Sequence, residues 1–440
     1  MGLALAQRLS AKGHVITVFE RDKQLGGLAT YHEFGQFCWD RFYHVILPSD
    51  SHLLRFLQDI GLGDQIRWNK TQTGIYVDQQ FYSLSGTVEF LRFPLVSLFG
   101  KIRLAFTILY CSRIRDWKGL EQVSVEEWLV KMCGRKTYEK IWRPLLLAKL
   151  GEHYRRVSAV FIWSYIKRAF SARGTSAKKE ELGHVSGGYR TVFSRLEDMI
   201  QSGGGEIRLQ SEVTRITPRS EGGLWIEHDH QKAHFDKVIC TSPVDVLQRL
   251  AGQGLVKLIK PDGVVEYLGV ICMVLVTKQP LVPYYVLNIA DDRIPFTGVI
   301  GMSSVVSTKE TAGLYLTYLP KYVLSDDPFL RQPDDEIRRL FSAGLSLMFP
   351  ELKSEDIVSV HINRARKVQP LQVIDYSRHV PQVSTQHEDF FVLNTSQFAN
   401  CTLNNNEVVR AVSEFLQDYG PRLEQACTPN SEPAMAAAGP

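Results

Sequence analysis

The amino-acid sequence predicts an α/β fold, and two observations indicate it. A helical stretch near the start of the chain leads to a short strand that ends on Glu20 and is followed by Gly26 and Gly27. An acidic residue at the tip of a strand, followed by glycines, is typical of the second half of a dinucleotide-binding βαβ unit. Strand-like segments alternate with helices again in the middle and at the end of the chain. These patterns predict a discontinuous, Rossmann-like domain of residues 1–75, 183–245 and 385–420, an inserted domain of mixed sheet and helices at 76–182 and 246–384, and a disordered tail at 421–440.

The first part of the chain contains three further elements. Ser51 can cap a short amphipathic helix that Gly61 ends. Residues 74–82 have the pattern of a β-hairpin, with its turn at 78–80. From 88 to 173, apolar residues recur at three- and four-residue spacing, which predicts a helical region.

The second part alternates between helices and strands. Gly187 and Gly188 belong to a segment that opens a helix running to about residue 200, and a run of glycines ends it. The remaining elements are predicted from β-branched and aromatic enrichment or from helical periodicity. They are strands at 206–209, 212–217, 222–227, 233–243, 265–277, 313–319 and 389–395, and helices at 334–349 and 405–418.

Composition limits the classes of function. The chain has 440 residues and a formal net charge of +4, with no basic tract interleaved with aromatics, so nucleic acid is not an expected partner. Seven cysteines, an odd number without CxxC spacing, indicate reduced thiols and an intracellular, cytoplasmic protein. The N-terminus does not resemble a signal peptide, and no stretch reaches the ~20 uninterrupted apolar residues of a membrane span.

Four segments in order resemble one family of enzymes. They are Glu20-Arg21 with Gly26-Gly27 and Thr30, then residues 142–146 (WRPLL), then Gly187-Gly188-Tyr189 with the downstream Glu212-Val213, and finally residues 236–243 (DKVICTSP). Together they resemble the superfamily of FAD-dependent amine oxidases, protoporphyrinogen oxidases and phytoene desaturases, over nearly the whole chain to about residue 420. The resemblance implies an FAD-dependent oxidoreductase that transfers hydride from an organic substrate to the flavin.

The resemblance also implies which residues hold FAD. Glu20 would accept hydrogen bonds from the adenosine ribose, and the glycine pair would let backbone N–H groups approach the cofactor closely. The helix that starts near residue 404 would direct its positive end towards the flavin and stabilise its anionic reduced form. The implied cofactor-binding residues are Gly2, Glu20, Arg21, Gly26, Gly27, Thr30, Val213, Thr241, Asn394, Asn404 and Asn405.

Three residues are candidates for substrate chemistry. His44 lies where relatives place an Asp and a His beside the flavin, and it is also compatible with a structural histidine in a loop. Arg143 and Lys149 follow Trp142 in the helical region, where they could frame a substrate cavity or belong to an ordinary helix end. The residue types favour no nucleophile, so the chemistry would belong to the flavin.

Two other patterns have plainer interpretations. His228, His230 and His234 have a spacing that metal sites use, but a solvent-facing hairpin explains them better, so no metal is expected. The aromatic and basic stretch 90–115 is compatible with a membrane surface, although ordinary packed helices are the favoured interpretation.

Gly2 stands where the last glycine of a GxGxxG turn would be, and the sequence lacks the strand and glycines that precede it in that motif. The sequence therefore predicts an N-terminally truncated dinucleotide-binding unit. Three functions remain open: an oxidoreductase acting on a small organic substrate, a flavoenzyme resembling UDP-galactopyranose mutase that acts on a nucleotide sugar without net redox, and a homologue that binds no flavin and serves as an interaction protein. The mutase alternative rests on residues 394–397 (NTSQ), which replace the Gly-Asp of many relatives.

Overall fold

A computed structural model describes residues 1–172, 180–255 and 265–425. Within these ranges four α-helices share the core around the N-terminal helix, a second group lies between 87 and 172, and the helices Val244–Leu255 and Asp334–Met348 pack in two other clusters. A π-helical turn, Tyr138–Trp142, joins two of them. The helices are α1 (Gly2–Ser10), α2 (Ser51–Asp59), α3 (Thr87–Arg92), α4 (Leu98–Arg113), α5 (Lys118–Glu121), α6 (Val125–Cys133), α7 (Arg135–Thr137), α8 (Arg143–Leu150), α9 (Ala159–Ala172), α10 (Tyr189–Ser202), α11 (Val244–Leu255), α12 (Asp334–Met348) and α13 (Asn405–Leu423).

The strands of the described residues fall into one large sheet and several small ones. They are β1 (Thr17–Phe19), β2 (Tyr31–Glu33), β3 (Cys38–Asp40), β4 (Ile66–Lys70), β5 (Thr73–Val77), β6 (Gln80–Ser83), β7 (Glu181–Val185), β8 (Glu206–Arg208), β9 (Val213–Pro218), β10 (Leu224–His228), β11 (Gln231–Phe235), β12 (Val238–Cys240), β13 (Tyr267–Thr277), β14 (Val286–Ile289), β15 (Gly298–Gly301), β16 (Tyr315–Leu324), β17 (Ile357–Pro370) and β18 (Phe390–Val392).

The large sheet has seven strands in the order β17-β13-β16-β15-β14-β5-β6. Its pairs are antiparallel except for β14 with β5, which is parallel. Every residue of β13 is buried, because the strand is paired on both edges and covered on both faces. This is the pattern of a central strand, which reads as a continuous apolar run.

Two short parallel pairs form the other part of the fold. β1 pairs with β8, and β12 pairs with β18, and within the described ranges the two pairs share no ladder. Helices α1, α10 and α13 contribute to one apolar core together with residues from both pairs, including Val18 and Phe391. The side chains of these helices, more than backbone pairing, therefore hold the two pairs together.

The large sheet also positions a loop that becomes important for the site. The hydroxyl of Tyr318 on β16 donates to the backbone carbonyl of Asp40 at 2.5 Å, and the amide of Asn363 on β17 donates to that of Arg41 at 3.1 Å. Trp39 and Phe42 pack in the same core cluster as β13. The segment from Trp39 to Phe42 is thus fixed against one face of the sheet.

The fold class predicted from the sequence is confirmed, and so are the hairpin of β5 and β6 and the helical region from 88. Asp78 and Gln79 take positive φ angles of 50° and 62° at the hairpin turn, as a two-residue hairpin connection requires. The division into domains stays a prediction.

Three element predictions need correction. Residues 233–243 form two strands instead of one, because β11 pairs antiparallel with β10 while β12 pairs parallel with β18. The segment before Gly187 is strand β7, which pairs with β4, and the helix starts only at Tyr189. The last helix continues to Leu423, inside the range predicted as a disordered tail, since its apolar face still packs on the core; residues 426–440 lie outside the described residues.

Candidate functional site

Glu20 stands at the end of β1, as the sequence predicts, and its backbone is fixed on the side of β8. Its N–H donates to the carbonyl of Arg208, and its carbonyl accepts from the N–H of Ser211, both at 2.9 Å. The carboxylate oxygen Oε1 accepts from the N–H of Asp22 at 2.9 Å. Burial raises the pKa of Glu20 above its ordinary value. The carboxylate therefore lies at the strand tip, beside the backbone of Arg21 and Asp22.

Arg21 and Val213 lie on this same side of the fold. Arg21 is exposed and contacts Asp22, with Nε 3.9 Å from the carboxylate. Val213 begins β9 and is paired with His228, whose ring lies 4.7 Å from that of Phe19 on β1. The structure therefore brings Glu20, Arg21 and Val213 to one end of the candidate site.

Gly2 and Thr241 meet at the start of α1. A Cβ atom built on Gly2 would lie 3.5 Å from Oγ1 of Thr241, which directly follows β12. The first N–H groups of a helix have no partner within it, and its positive end favours an anion. Gly2 and Thr241 thus flank a helix end with the character of a phosphate site.

The loop from Gly26 to Thr30 has the backbone geometry that glycine permits. Gly26 and Gly27 have φ angles of 109° and 57°. A Cβ on Gly26 would lie 2.3 Å from the ring of Phe193, so only glycine fits there, whereas a Cβ on Gly27 would have no heavy atom within 4 Å. Thr30 is buried, and its hydroxyl has no hydrogen-bond partner among the described residues. The loop therefore presents open space and an unsatisfied hydroxyl.

Asp40 and His44 form the centre of the candidate site. Asp40 is buried, Oδ1 accepts from the N–H of Tyr189 at 2.8 Å, and Oδ2 lies 3.8 Å from Nδ1 of His44. Burial raises the pKa of Asp40 to about 8 and lowers that of His44 to about 4. Both shifts favour the uncharged forms of the two side chains, and Nδ1 of His44 donates to the carbonyl of Phe42 at 3.0 Å.

The N-terminus of α13 lies beside this pair. The His44 ring contacts that of Tyr189, with centroids 5.4 Å apart, and the buried Tyr189 hydroxyl, which has no hydrogen-bond partner among the described residues, lies near the side chain of Asn405. Asn404 caps the helix, since its Oδ1 accepts from the N–H of Glu407 at 3.0 Å. The helix end that the sequence placed at the flavin is therefore next to His44.

Asn394 has a structural role at the ends of two strands. Its Nδ2 donates to the carbonyl of Ser242 at 2.9 Å, and its Oδ1 accepts from the N–H and the hydroxyl of Ser396. The residue thus ties the loop after β12 to the loop after β18. Because the amide of Asn394 is engaged within the protein, contact with a ligand would have to come from the backbone of this segment.

Lys149 lies over an aromatic ring in the interior. Its Nζ is 3.3 Å from the centre of the Tyr322 ring, and the hydroxyl of Tyr322 is hydrogen-bonded to that of Tyr43 at 2.5 Å. Removal from water lowers the pKa of Lys149 to about 7. No carboxylate pairs with Lys149 among the described residues, so the tyrosine ring is the main stabilising neighbour of its charged form.

Helix α9 contributes a polar wall nearby. Arg168 forms a two-bonded ion pair with the buried Asp50, with distances of 2.9 and 3.1 Å, and Tyr165 donates to Gln369 at 3.1 Å. The sequence did not single out this pair or Tyr322, because their partners are far away in the chain. Tyr189 was visible only as part of the Gly-Gly-Tyr motif.

Arg143 and the three histidines do not join this cluster. Arg143 has a partly exposed side chain, with Nε 3.8 Å from the carboxylate of Glu139. His228 is buried near Ser211, and His230 is in a turn with a φ angle of 61°. In the described part of the chain, no group of three His, Cys, Asp or Glu residues could hold a metal ion.

Comparisons with known proteins assign the family. The sequence profile of flavin containing amine oxidoreductases matches residues 2–389. No curated protein matches the sequence significantly. Among solved structures, a provisional protoporphyrinogen oxidase from Exiguobacterium sp. 255-15 is 15% identical, with a TM-score of 0.71 and coverage of 96% of each chain.

Two further structures have the same fold. An oxidoreductase from Methanosarcina mazei is 19% identical, with a TM-score of 0.73 and coverage of 95% of this chain and 98% of that one. Putrescine oxidase bound to putrescine is 14% identical, with a TM-score of 0.71 and coverage of 95% and 96%. These comparisons do not support the mutase alternative. With most of its length matched by the family profile, the chain belongs to the flavin-containing amine oxidoreductases.

Proposed function

We propose that this protein is an FAD-dependent oxidoreductase that removes hydride from a carbon of a small organic substrate, at a C–N or C–C bond. The observation that carries the proposal is the interior cluster in which Lys149, Tyr322 and Tyr43 lead to the Asp40–His44 segment. It combines a proton-accepting amine with uncharged hydrogen-bonding groups next to the N-terminus of a helix.

The residues at the Glu20 end fit the nucleotide half of FAD. Glu20 would accept hydrogen bonds from the ribose, and the N-terminus of α1 beside Gly2 and Thr241 would face the pyrophosphate. The space at Gly27 offers room for a polar ligand. The Thr30 hydroxyl and the buried Nε of Arg41 have no hydrogen-bond partner in the part of the chain that the structure describes, so they offer donors. Unsatisfied buried donors of this kind are expected where a cofactor completes the hydrogen bonding.

The residues around His44 fit the flavin half. FAD, when bound, supplies the hydride acceptor. The N-terminus of α13 would offset negative charge at that end of the site, and Asn405 and Tyr189 lie beside it. Burial favours the uncharged forms of His44 and Asp40. These side chains would therefore orient the flavin by hydrogen bonds without adding a charge that competes with the helix end.

Lys149 would accept a proton from the substrate amine. An amine must be neutral to lose hydride readily, and a lysine with a pKa of about 7 accepts a proton at Nζ near neutral pH. The Tyr322 ring below Nζ then stabilises the ammonium that forms.

FAD binding provides the first test. The purified chain is incubated with FAD and passed through a desalting column, and retained flavin is measured by its absorbance. We expect retention by the natural sequence and about tenfold weaker binding for Glu20→Gln, since the ribose loses a charged acceptor. Glu33→Gln, an exposed carboxylate outside this region, is the matched control. Failure of the natural chain to retain FAD would contradict the proposal and favour the interaction-protein alternative.

Lys149 provides the second test. Substrate-driven flavin reduction, measured by stopped flow with a panel of amines, should rise with pH through about 7 in the natural protein because Nζ must be unprotonated. Lys149→Met should lose this inflection and lower the reduction rate about a hundredfold or more. Lys140→Met on the exposed side of the same region is the control. A pH profile unchanged in Lys149→Met would exclude Lys149 as the base.

A further inference from the structure

Helices α3 and α4 expose an unusual number of apolar side chains. Of the fifteen large hydrophobic residues that are exposed within the described ranges, eight lie between 88 and 110. Phe99 is 70% exposed and Phe106 is 62% exposed, and the Phe106 and Tyr110 rings stack with centroids 6.2 Å apart. We call this set the α3–α4 ridge: Val88, Leu91, Leu98, Phe99, Ile102, Phe106, Leu109 and Tyr110.

The ridge is not the packing face of α4. The opposite face of the helix is already buried, with Leu104 and Thr107 directed inwards, and the Trp163 indole on α9 donates to the carbonyl of Cys111 at 3.0 Å. Within α4, Phe99, Ile102, Phe106 and Leu109 recur at three- and four-residue spacing, which places them along one line of the helix surface. A helix that is apolar on both faces normally has a second apolar partner. The fold supplies the first partner, α9 and α6, and the other face is exposed within the described ranges of the chain.

Most charges around the ridge are positive. The segment from Phe90 to Arg115 contains basic residues and no acidic residue, while the carboxylate of Glu89 in α3 accepts hydrogen bonds from the Ser83 hydroxyl and the N–H of Gly86. Arg92, Arg113 and Arg115 are exposed. Arg103 is partly exposed and holds the carbonyls of Lys131 and Met132 at the end of α6. An apolar surface bordered by arginines is complementary to an anionic lipid surface, whose phosphates attract cations while its acyl chains accept apolar groups.

We propose that the α3–α4 ridge binds the surface of a bilayer that contains anionic phospholipids. Its aromatic and aliphatic side chains would enter the boundary between head groups and acyl chains, and the exposed arginines would contact lipid phosphates. In the described part of the chain no helix is long and apolar enough to cross a membrane, so the contact is with one leaflet. The inference concerns a surface of its own and does not depend on the proposed redox function.

Vesicle flotation tests the proposal with the full-length protein. Vesicles of phosphatidylcholine mixed with phosphatidylglycerol should carry the protein to the top of the gradient, and vesicles of phosphatidylcholine alone should carry much less. The double variant Phe99→Ser, Phe106→Ser should lower the partition coefficient by about tenfold per residue, because each substitution removes an inserted ring. Leu347→Ser, at a 61% exposed position on α12, is the matched control and should bind like the natural protein.

A variant that lacks three arginine charges measures the electrostatic contribution to vesicle binding. Arg92→Gln with Arg113→Gln and Arg115→Gln should weaken binding to the anionic vesicles several-fold and reduce its dependence on salt. Thermal melting of each variant establishes that it is folded. Absence of flotation, or equal flotation of the Phe99/Phe106 variant and the natural protein, would overturn the proposal. So would a dimer in lipid-free solution that dissociates in that variant, because the ridge would then be an interface between copies of the chain.

Discussion

The two sheet regions of this protein are built in different ways. The seven-stranded sheet relies on long antiparallel ladders, such as the ten-residue pairing of β13 with β16, and on the complete burial of β13. The Glu20 region has only short ladders, parallel in the three-residue pairing of β1 with β8 and antiparallel in the five-residue pairing of β10 with β11, and it depends on helices and side-chain contacts. The difference indicates that the long ladders hold the Asp40–His44 segment in place, while the candidate residues Glu20 and Gly2 lie at a strand end and a helix end of the less regular region.

A substitution that creates a cavity in the large sheet tests whether this sheet is a rigid support. Leu275 lies on β13 and is 1% exposed. Leu275→Ala should lower the free energy of unfolding by about 2–5 kcal/mol, since the removed atoms leave a cavity that a paired central strand cannot close. Chemical denaturation followed by circular dichroism measures the change. A loss below about 1 kcal/mol would mean that the sheet relaxes more easily than its pairing indicates.

Removal of a side-chain cap tests whether the Glu20 region depends on such contacts. Oδ1 of Asn406 on α13 accepts from the N–H groups of His52 and Leu53 at the start of α2, at 3.0 and 3.1 Å. Asn406→Ala leaves two donors without this partner and should cost about 1–3 kcal/mol in the same assay. Asn405→Ala is the matched control, because Asn405 is at the same helix end and accepts from neither of these two N–H groups. Equal effects of the two variants would contradict the assigned role of Asn406.

A substitution in the short parallel pair of β1 and β8 should change the free energy of unfolding least. Val18 lies on β1, is only partly buried and packs at the edge of the core around α1. Val18→Ala should therefore cost about 1 kcal/mol, because fewer methyl contacts are lost. Hydrogen exchange should also be faster for the amides of β1 than for those of β13, since local opening of a short pair breaks fewer bonds. Comparable protection of the two strands would remove the distinction between the regions.

The sequence predicted the fold class from local features, and the candidate residues at the Glu20 end of the site, which stay a prediction, were chosen from the same features. A strand that ends on Glu20 and a glycine pair at 26 and 27 can be recognised from neighbouring residues alone. The order of later segments then identified the family. The hairpin at 78–80 was equally local, because its turn depends on two adjacent residues.

The parts that sequence reasoning missed depend on contacts between distant segments. Tyr322 meets Lys149 and Tyr43 only after the large sheet has formed, and the Arg168–Asp50 pair joins two separate helical regions. Arg143 and Lys149 were equivalent candidates in the sequence, because both lie on one short helix. In the structure Lys149 contacts the Tyr322 ring, whereas Arg143 lies beside Glu139. The apolar ridge was assigned to ordinary packing for the same reason, since periodicity cannot tell which face of a helix is covered.

The bond between Asn406 and the start of α2 has a consequence for synthesis on the ribosome. It joins residues separated by 354 positions, so the N-terminal end of α2 stays without that acceptor until the last helix has left the ribosomal tunnel. Nascent chains that stop before residue 406 should therefore leave the N–H groups of His52 and Leu53 without their acceptor, and the start of α2 completes its hydrogen bonding only after α13 has been made.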